Sequence, residues 1–392
     1  MPKDRPNPIY ATIAGFCLVA TGLCLCRFAY TPLIPSLIDA KWVDRAQAGY
    51  LGGFNCLGYI VACVAGVCLP NLIGIRLLMR ISTFLAVIGL TMCAWDFGFI
   101  WLAIGRFLTG LAGAAFVIHT PSLMLQCIDD KYKSICGGIA FSGAGVCTIV
   151  VSLFLPYVLT DGPRYGWLFE SSLALVLVII GWHLVSSASN KRHVSSSVSE
   201  PIKRKDRVRL FVLSTAYVLA AIGIVPHTLF LTDYMHRDLG VSASGSSSLF
   251  AIFGIGCAVG AMTSGVASKF LGTRLSLSIN YLIGSIAVAL VLIFSSLIIV
   301  TGSAFLIGFF LLQCVPLTSM RTREFVGLNR HPHYWGLLTL AFGFGLLLGS
   351  YGMSALLTLG FEYINLFMVA EGALIAGFIL ILVSWWTCRK VD

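Results

Sequence analysis

Apolar runs of about twenty residues follow one another down the whole chain with only short polar breaks between them. A helix needs roughly 20 apolar residues to cross the hydrocarbon core of a bilayer. Segments of that size can be placed at 10–37, 46–69, 75–95, 98–127, 134–159 and 165–187, and again at 210–235, 246–271, 274–296, 298–320, 334–359 and 364–388. With 58% hydrophobic and only 11% charged side chains, the 392 residues lack the polar surface to coat soluble domains. Disorder is excluded for the opposite reason, because so little of the chain prefers water. The sequence predicts an all-α membrane protein with twelve transmembrane helices in two sets of six.

The formal charge of +10 would suit a nucleic-acid partner, but its placement argues against one. When the twelve segments are threaded alternately, only Lys41, Arg45, Arg164 and Arg237 fall on one side, and Arg27 and Arg106 lie inside helices. The other twenty of the 26 Lys and Arg fall on the side that holds both termini, Lys3 and Arg5 among them. Such asymmetry marks the cytoplasmic face. The apolar stretch after Arg5 has no small-residue cleavage site, so it reads as a retained first helix rather than a signal peptide.

Residues 188–209 are serine-rich and basic and form a solvated linker. They separate an N-terminal six-helix half, 1–187, from a C-terminal half, 210–392. A repeat shows in the tight connectors, where Gly66 leads to Gly74-Ile75-Arg76 and Gly265 to Gly272-Thr273-Arg274, with Gly74 and Gly272 198 residues apart. Paired halves of this kind are a transporter architecture, with the substrate site near the membrane midplane.

Other chemistries find little support. The 13 cysteines fall almost entirely in apolar runs and include no Cys-x-x-Cys, so neither a disulfide framework nor a metal site is implied. The glycine patterns at Gly254, Gly256 and Gly260 and at Gly343, Gly345 and Gly349 lie inside apolar helices, where they permit close packing rather than nucleotide binding. No phosphate-binding Gly-Lys-Ser/Thr loop, zinc-protease or serine-hydrolase motif occurs, so no cofactor and no enzyme activity are expected.

Several motifs resemble the major facilitator superfamily and, within it, the YbfB/YjiJ-like branch of bacterial inner-membrane carriers. They are Arg27-Phe28-Ala29-Tyr30-Thr31-Pro32-Leu33-Ile34-Pro35, Ala46-Gln47-Ala48-Gly49-Tyr50-Leu51-Gly52, and Asn55 with Gly58-Tyr59. His227-Thr228-Leu229-Phe230 with Asp233-Tyr234, and Trp335 with Thr339 and Phe342, fit the same branch. The resemblance implies an inner-membrane secondary carrier, commonly monomeric, that works by alternating access. It also implies that the first, fourth, seventh and tenth helices line the cavity, and that the loops of Gly66, Gly74, Arg76, Gly265, Gly272 and Arg274 take part in gating. The aspartate usual four residues after the first loop glycine is replaced by Pro70 and Lys269. The fifth helix has Gly143 and Gly145 but no Gly-Pro pair, which disfavours drug export.

An arginine inside a membrane helix is a functional candidate because it costs about 2.5–3.5 kcal/mol to insert near the bilayer centre. Arg27 and Arg106 meet that description, and Arg106 opens a Gly-Arg-Phe-Leu-Thr-Gly stretch resembling a motif whose arginine takes part in proton coupling in relatives. By helix membership His119, His227 and Gln313 join them, with Tyr30, Tyr50, Asn55, Tyr59, Trp335 and Phe342 as cavity-lining candidates. Pro32 and Pro35 should bend the first helix and free carbonyls that only protein or water can satisfy. Among the acids, Asp39 and Asp233 read as solvated near outer helix ends, and Glu371 as the one carboxylate well inside an apolar run; Asp233 and Glu371 are the candidate proton sites. The expectation is a positively charged cavity that takes a small organic anion with protons as the coupling ion. A larger amphipathic cargo, such as a siderophore or drug, and a non-transporting sensor are the alternatives.

Overall fold

The computed structural model describes residues 7–186 and 203–389, and within them it contains helices and no strand. Lys3, Arg5 and most of the expected linker lie outside the described residues. Ten helices are long and apolar enough to cross a membrane. They are α1 (Pro8–Asp39), α2 (Arg45–Ile73), α3 (Ile75–Met92), α4 (Phe99–Leu125) and α5 (Lys133–Val158), followed by α6 (Pro163–Ser186), α7 (Arg204–Arg237), α8 (Ala243–Ile293), α9 (Leu297–Thr358) and α10 (Tyr363–Arg389). Large apolar side chains such as Phe84, Ile100, Phe154, Ile179, Phe270 and Ile298 stand exposed on the outside of the bundle, as lipid solvation permits.

The two longest helices account for the difference from the twelve expected segments. At 1.5 Å per residue, the 62 residues of α9 would run about 93 Å as a straight rod, roughly three bilayer cores. Gly327 interrupts it with φ 74° and ψ 171°, and Gly272 interrupts α8 with φ 74° and ψ 153°, a conformation in which a side chain would be strained. The His331 ring nitrogen Nε2 lies 3.0 Å from Ser319 Oγ, although twelve residues of straight helix would hold them about 18 Å apart. The chain therefore doubles back at Gly327.

The repeat is visible in atomic contacts. A Cβ on Gly58 would strike the carbonyl oxygen of Phe107, and one on Gly256 that of Phe305, both members of each pair shifted by 198 residues. Gly110 against the Asn55 carbonyl recurs in the same way as Gly308 against that of Phe253. Positive-φ glycines follow suit, Gly74 with Gly272 and Gly162 with Gly360. Small residues let backbones meet at these crossings, where packing rather than water expulsion holds membrane helices together.

The first helix is irregular just ahead of its prolines rather than at them. Residues Ala20–Phe28 of α1 form a π-helix just ahead of Pro32, and Pro226–Phe230 form a shorter one in α7. The Thr31 carbonyl, which Pro35 cannot bond, accepts a hydrogen bond from Thr232 Oγ1 of α7 at 2.6 Å. Thr31 Oγ1 in turn donates to the Thr228 carbonyl. Proline thus turns a lost helical bond into a tie between α1 and α7.

Candidate functional site

A cleft of about 280 Å³ lies between segments from both ends of the chain. Its wall holds Arg27 from α1, Asn55 and Cys56 from α2, Arg106 from α4, Thr228 from α7 and Ser350 from α9. Arg27 sits on the π-helical stretch of α1, the kind of irregular turn that frequently marks functional positions. Its guanidinium lies 5.7 Å from the centre of the Phe28 ring. Arg106 is 1% exposed, with its guanidinium carbon 4.3 Å above the Tyr30 ring and 6.0 Å from the ring of Trp167. Neither arginine forms an ion pair within 4 Å among the described residues.

Asn55 organises the floor. Its Nδ2 lies 2.9 Å from the Cys26 carbonyl, 3.1 Å from the Arg106 carbonyl and 3.0 Å from Thr109 Oγ1. One amide thereby fixes the helices that carry both arginines. Tyr30 lies behind the wall rather than in it: its hydroxyl donates to the Ala48 carbonyl at 2.9 Å, and its ring stacks on Trp167. It supports Arg106 from below.

The sequence reading missed the acid of this region. Glu170, in α6, is 0% exposed, and neither carboxylate oxygen has a hydrogen-bond partner in the protein. It stands one helical turn beyond Trp167, close enough to Arg106 for the two to interact through space. Arg106 Nε and Trp167 Nε1 are likewise buried without a protein partner. The other ionisable groups near Glu170 are the thiols of Cys24, Cys26 and Cys93. Glu371 is therefore not the single deep carboxylate. The clue in the sequence was a lone glutamate inside the sixth apolar segment, which position near the segment start disguised as interfacial.

The remaining candidates are spread more widely. Tyr59 packs at Gly343, near the cleft, whereas Tyr50 lies by Tyr351 and 3.4 Å from Thr358 Oγ1 at the helix end. His119 faces Gly66, away from the arginines. His227 is buried with Nε2 2.6 Å from Ser303 Oγ and its ring edge-on to Phe367, so it turns into the packing of the C-terminal helices while its neighbour Thr228 faces the cleft. Gln313 Nε2 lies 3.3 Å from Thr263 Oγ1 and lines no part of the cleft; residues of α2 and of the stretch of α9 beyond Gly327, Leu346 and Ser350, take the place expected for it. Trp335 and Phe342 stack on Tyr217. Glu371 Oε1 accepts from Ser285 Oγ at 2.6 Å, a local contact between α10 and α8.

Asp233 is not solvated, contrary to the expectation. It is 0% exposed, and Arg237 Nε lies 3.0 Å from each of its oxygens, while the Tyr363 hydroxyl donates to it. Arg237 also reaches Asp39 at 2.8 Å, and His236 Nε2 lies 3.1 Å from the same carboxylate. Ser247 Oγ donates to the Pro32 carbonyl at 2.7 Å nearby. Together these contacts join the end of α1 to α7 and α8, and α7 to α10. Of the loop glycines, Gly74 and Gly272 adopt positive φ at the starts of corresponding helices, and Gly265 approaches Ser134. Among the described residues no group of three His, Cys, Asp or Glu side chains is placed to hold a metal ion.

The architecture and the central arginines direct attention to membrane carriers, and the sequence comparison agrees. Residues 19–382 match the family described as uncharacterised MFS-type transporter YbfB. The chain belongs to this family. Comparison with curated proteins finds no match. As a YbfB-family member the chain is a multi-pass membrane protein of the transporter class.

Proposed function

We propose that this YbfB-family protein is a proton-linked secondary carrier of a small organic anion. The observation that carries the reading is the pair of guanidiniums, Arg27 and Arg106, on one cleft wall without an ion-paired acid. A carboxylate or sulfonate entering between them completes hydrogen bonds to charged donors, each contributing about 1.5–3 kcal/mol.

The breaks at Gly272 and Gly327 are turns between antiparallel spans, which makes twelve spans in two halves of six, 7–186 and 203–389. Both termini face the cytoplasm of a bacterial inner membrane, the arginine-rich side. The halves rock as a monomer about the cleft, and the contacts of Asp39, Arg237 and Thr232 form and break as one mouth shuts and opens.

Glu170, rather than Asp233 or Glu371, carries the proton. A carboxylate buried without hydrogen bonds costs several kcal/mol, and Arg106, which forms no ion pair with it, offsets only part of that cost. When a substrate anion claims Arg106, Glu170 loses its counter-charge and takes up a proton; anion and proton then cross together. The test is uptake of labelled carboxylates and sulfonates into proteoliposomes with and without an inward acid gradient. Uptake should rise with the gradient and collapse on addition of a protonophore. Chemical change of the recovered solute, or no gradient response for any anion that binds, defeats the reading.

A further inference from the structure

A second cleft, also of about 280 Å³, lies far along the C-terminal helices from the one described above. Three arginines from three helical segments converge on it: Arg209 near the start of α7, Arg274 just after the Gly272 turn of α8, and Arg321 shortly before the Gly327 turn of α9. All three therefore stand at the same end of the bundle, where helices begin or turn.

The charges are arranged for something outside the protein. Arg209 pairs with Asp206 at 3.1 Å and Arg321 with Glu324 at 2.6 Å, yet neither acid belongs to the cleft wall. Glu324 is held aside by a second hydrogen bond, from Thr273 Oγ1 at 2.6 Å. Neither carboxylate lines the cleft, whose charged lining is the three guanidiniums. Phe325 serves as a platform, with the guanidinium carbon of Arg321 4.5 Å and that of Arg209 5.9 Å from its ring centre. A ring between two cations holds them in place without neutralising them.

The rest of the wall is Ser384 and the buried apolar side chains Leu213, Leu277 and Ile381. On the neighbouring turns Val208, Phe211 and Leu275 are exposed on the bundle surface, where lipid would solvate them. A soluble phosphate has no use for such a wall. A molecule with a phosphate at one end and hydrocarbon at the other uses both parts. Basic pockets between membrane helices at the interface are suited to lipid head groups.

We propose that this cleft is a binding site for an anionic phospholipid, its phosphate held by Arg209, Arg274 and Arg321 and its acyl chains lying over the exposed Val208, Phe211 and Leu275. The site is independent of the carrier cleft, so a lipid here tunes the C-terminal helices without entering the transport path.

The test uses the full-length protein purified in a non-ionic detergent and stripped of lipid. Its thermal unfolding is followed while phosphatidylglycerol, phosphatidylcholine or inorganic phosphate is added. Phosphatidylglycerol should raise the Tm saturably, and the other two should not. Substituting all three arginines, Arg209→Gln, Arg274→Gln and Arg321→Gln, should weaken the lipid on the order of a hundredfold, from about fivefold per basic side chain. Because that variant can fail to fold, the wild-type titration is repeated at rising sodium chloride, where the affinity should fall as charges are screened. Equal shifts with phosphatidylcholine, a shift reproduced by phosphate alone, or an affinity indifferent to salt each overturn the proposal.

Discussion

The two halves of the chain share a scaffold and differ in charge. Under the 198-residue repeat, Gly58 and Phe107 meet as Gly256 and Phe305 do, and Gly110 and Asn55 as Gly308 and Phe253 do. At the same offset Arg106 corresponds to Ala304, Arg27 to Val225 and Glu170 to Met368. The crossings that set helix spacing are kept twice, while Arg27, Arg106 and Glu170 have apolar counterparts in the other half. This separates what builds the bundle from what equips it. The largest predicted effect tests the shared part. Gly58→Ala and Gly256→Ala each drive a methyl into a carbonyl, so each should lower the Tm by a similar amount, at or beyond the ~1–3 kcal/mol of ordinary overpacking. Gly352→Ala, with nothing within 4 Å of its added Cβ, should unfold like the wild type. Unequal losses at the two crossings would break the equivalence.

The next effect tests the difference between the halves. Arg106→Ala should cut transport by about 10–100-fold, the equivalent of losing one charge-assisted interaction of about 1.5–3 kcal/mol. Its counterpart Ala304→Ser should change flux by less than roughly twofold, because a small substitution away from charged groups has modest consequences. Removing Arg106 also strands Glu170, so detergent-purified protein must be checked for a normal melting curve before flux is read. Arg27→Ala should behave like Arg106→Ala with a smaller stability cost, since Arg27 is only half-buried.

Much of the scaffold was legible in the sequence, because segment length, loop glycines and arginine placement report directly on a bilayer. Pro32 and Pro35 pointed to a disturbed first helix, and the irregular stretch lies just ahead of them, at Ala20–Phe28. What could not be read was rotation about the helix axes. Each π-helical turn admits an extra residue and swings the following side chains to a new face. In α7 that turn spans Pro226–Phe230, and there His227 faces inward to Ser303 while Thr228 faces the cleft. Gln313 failed for a similar reason, since helix membership says nothing of which face is presented. Glu170 was overlooked because it lies eight residues into α6, a depth judged along the chain rather than through the packed bundle.

Glu170→Gln sharpens the contrast between the halves at the level of coupling. The amide keeps the volume and removes the titration, so anion exchange between equal pools should persist. Net uptake should lose its response to the proton gradient, and anion affinity its dependence on pH. Met368→Leu, at the corresponding place in the other half, should leave both properties unchanged, since the exchange conserves apolar volume. An uncoupled Met368→Leu or a fully coupled Glu170→Gln would mean that charge asymmetry is not what couples the carrier. Loss of all flux in the wild type would instead count against the anion reading itself, so the two failures are distinguishable.

The smallest predicted effect belongs to Glu371. Its carboxyl meets Ser285 between α10 and α8 and reaches neither arginine of the cleft. It is half-buried, with Oε2 shielded and without a protein partner, and an amide in its place finds the same serine. Glu371→Gln should therefore retain gradient-driven uptake within roughly twofold and shift stability by about the 0.5–1.5 kcal/mol of a single hydrogen bond at most. Uptake that continues but ignores the gradient would move the proton from the charged half to the apolar one. It would make Ser285, which donates to that carboxylate, the next residue to substitute. Measured beside Glu170→Gln in the same vesicles, this variant decides which of two buried acids the proton uses.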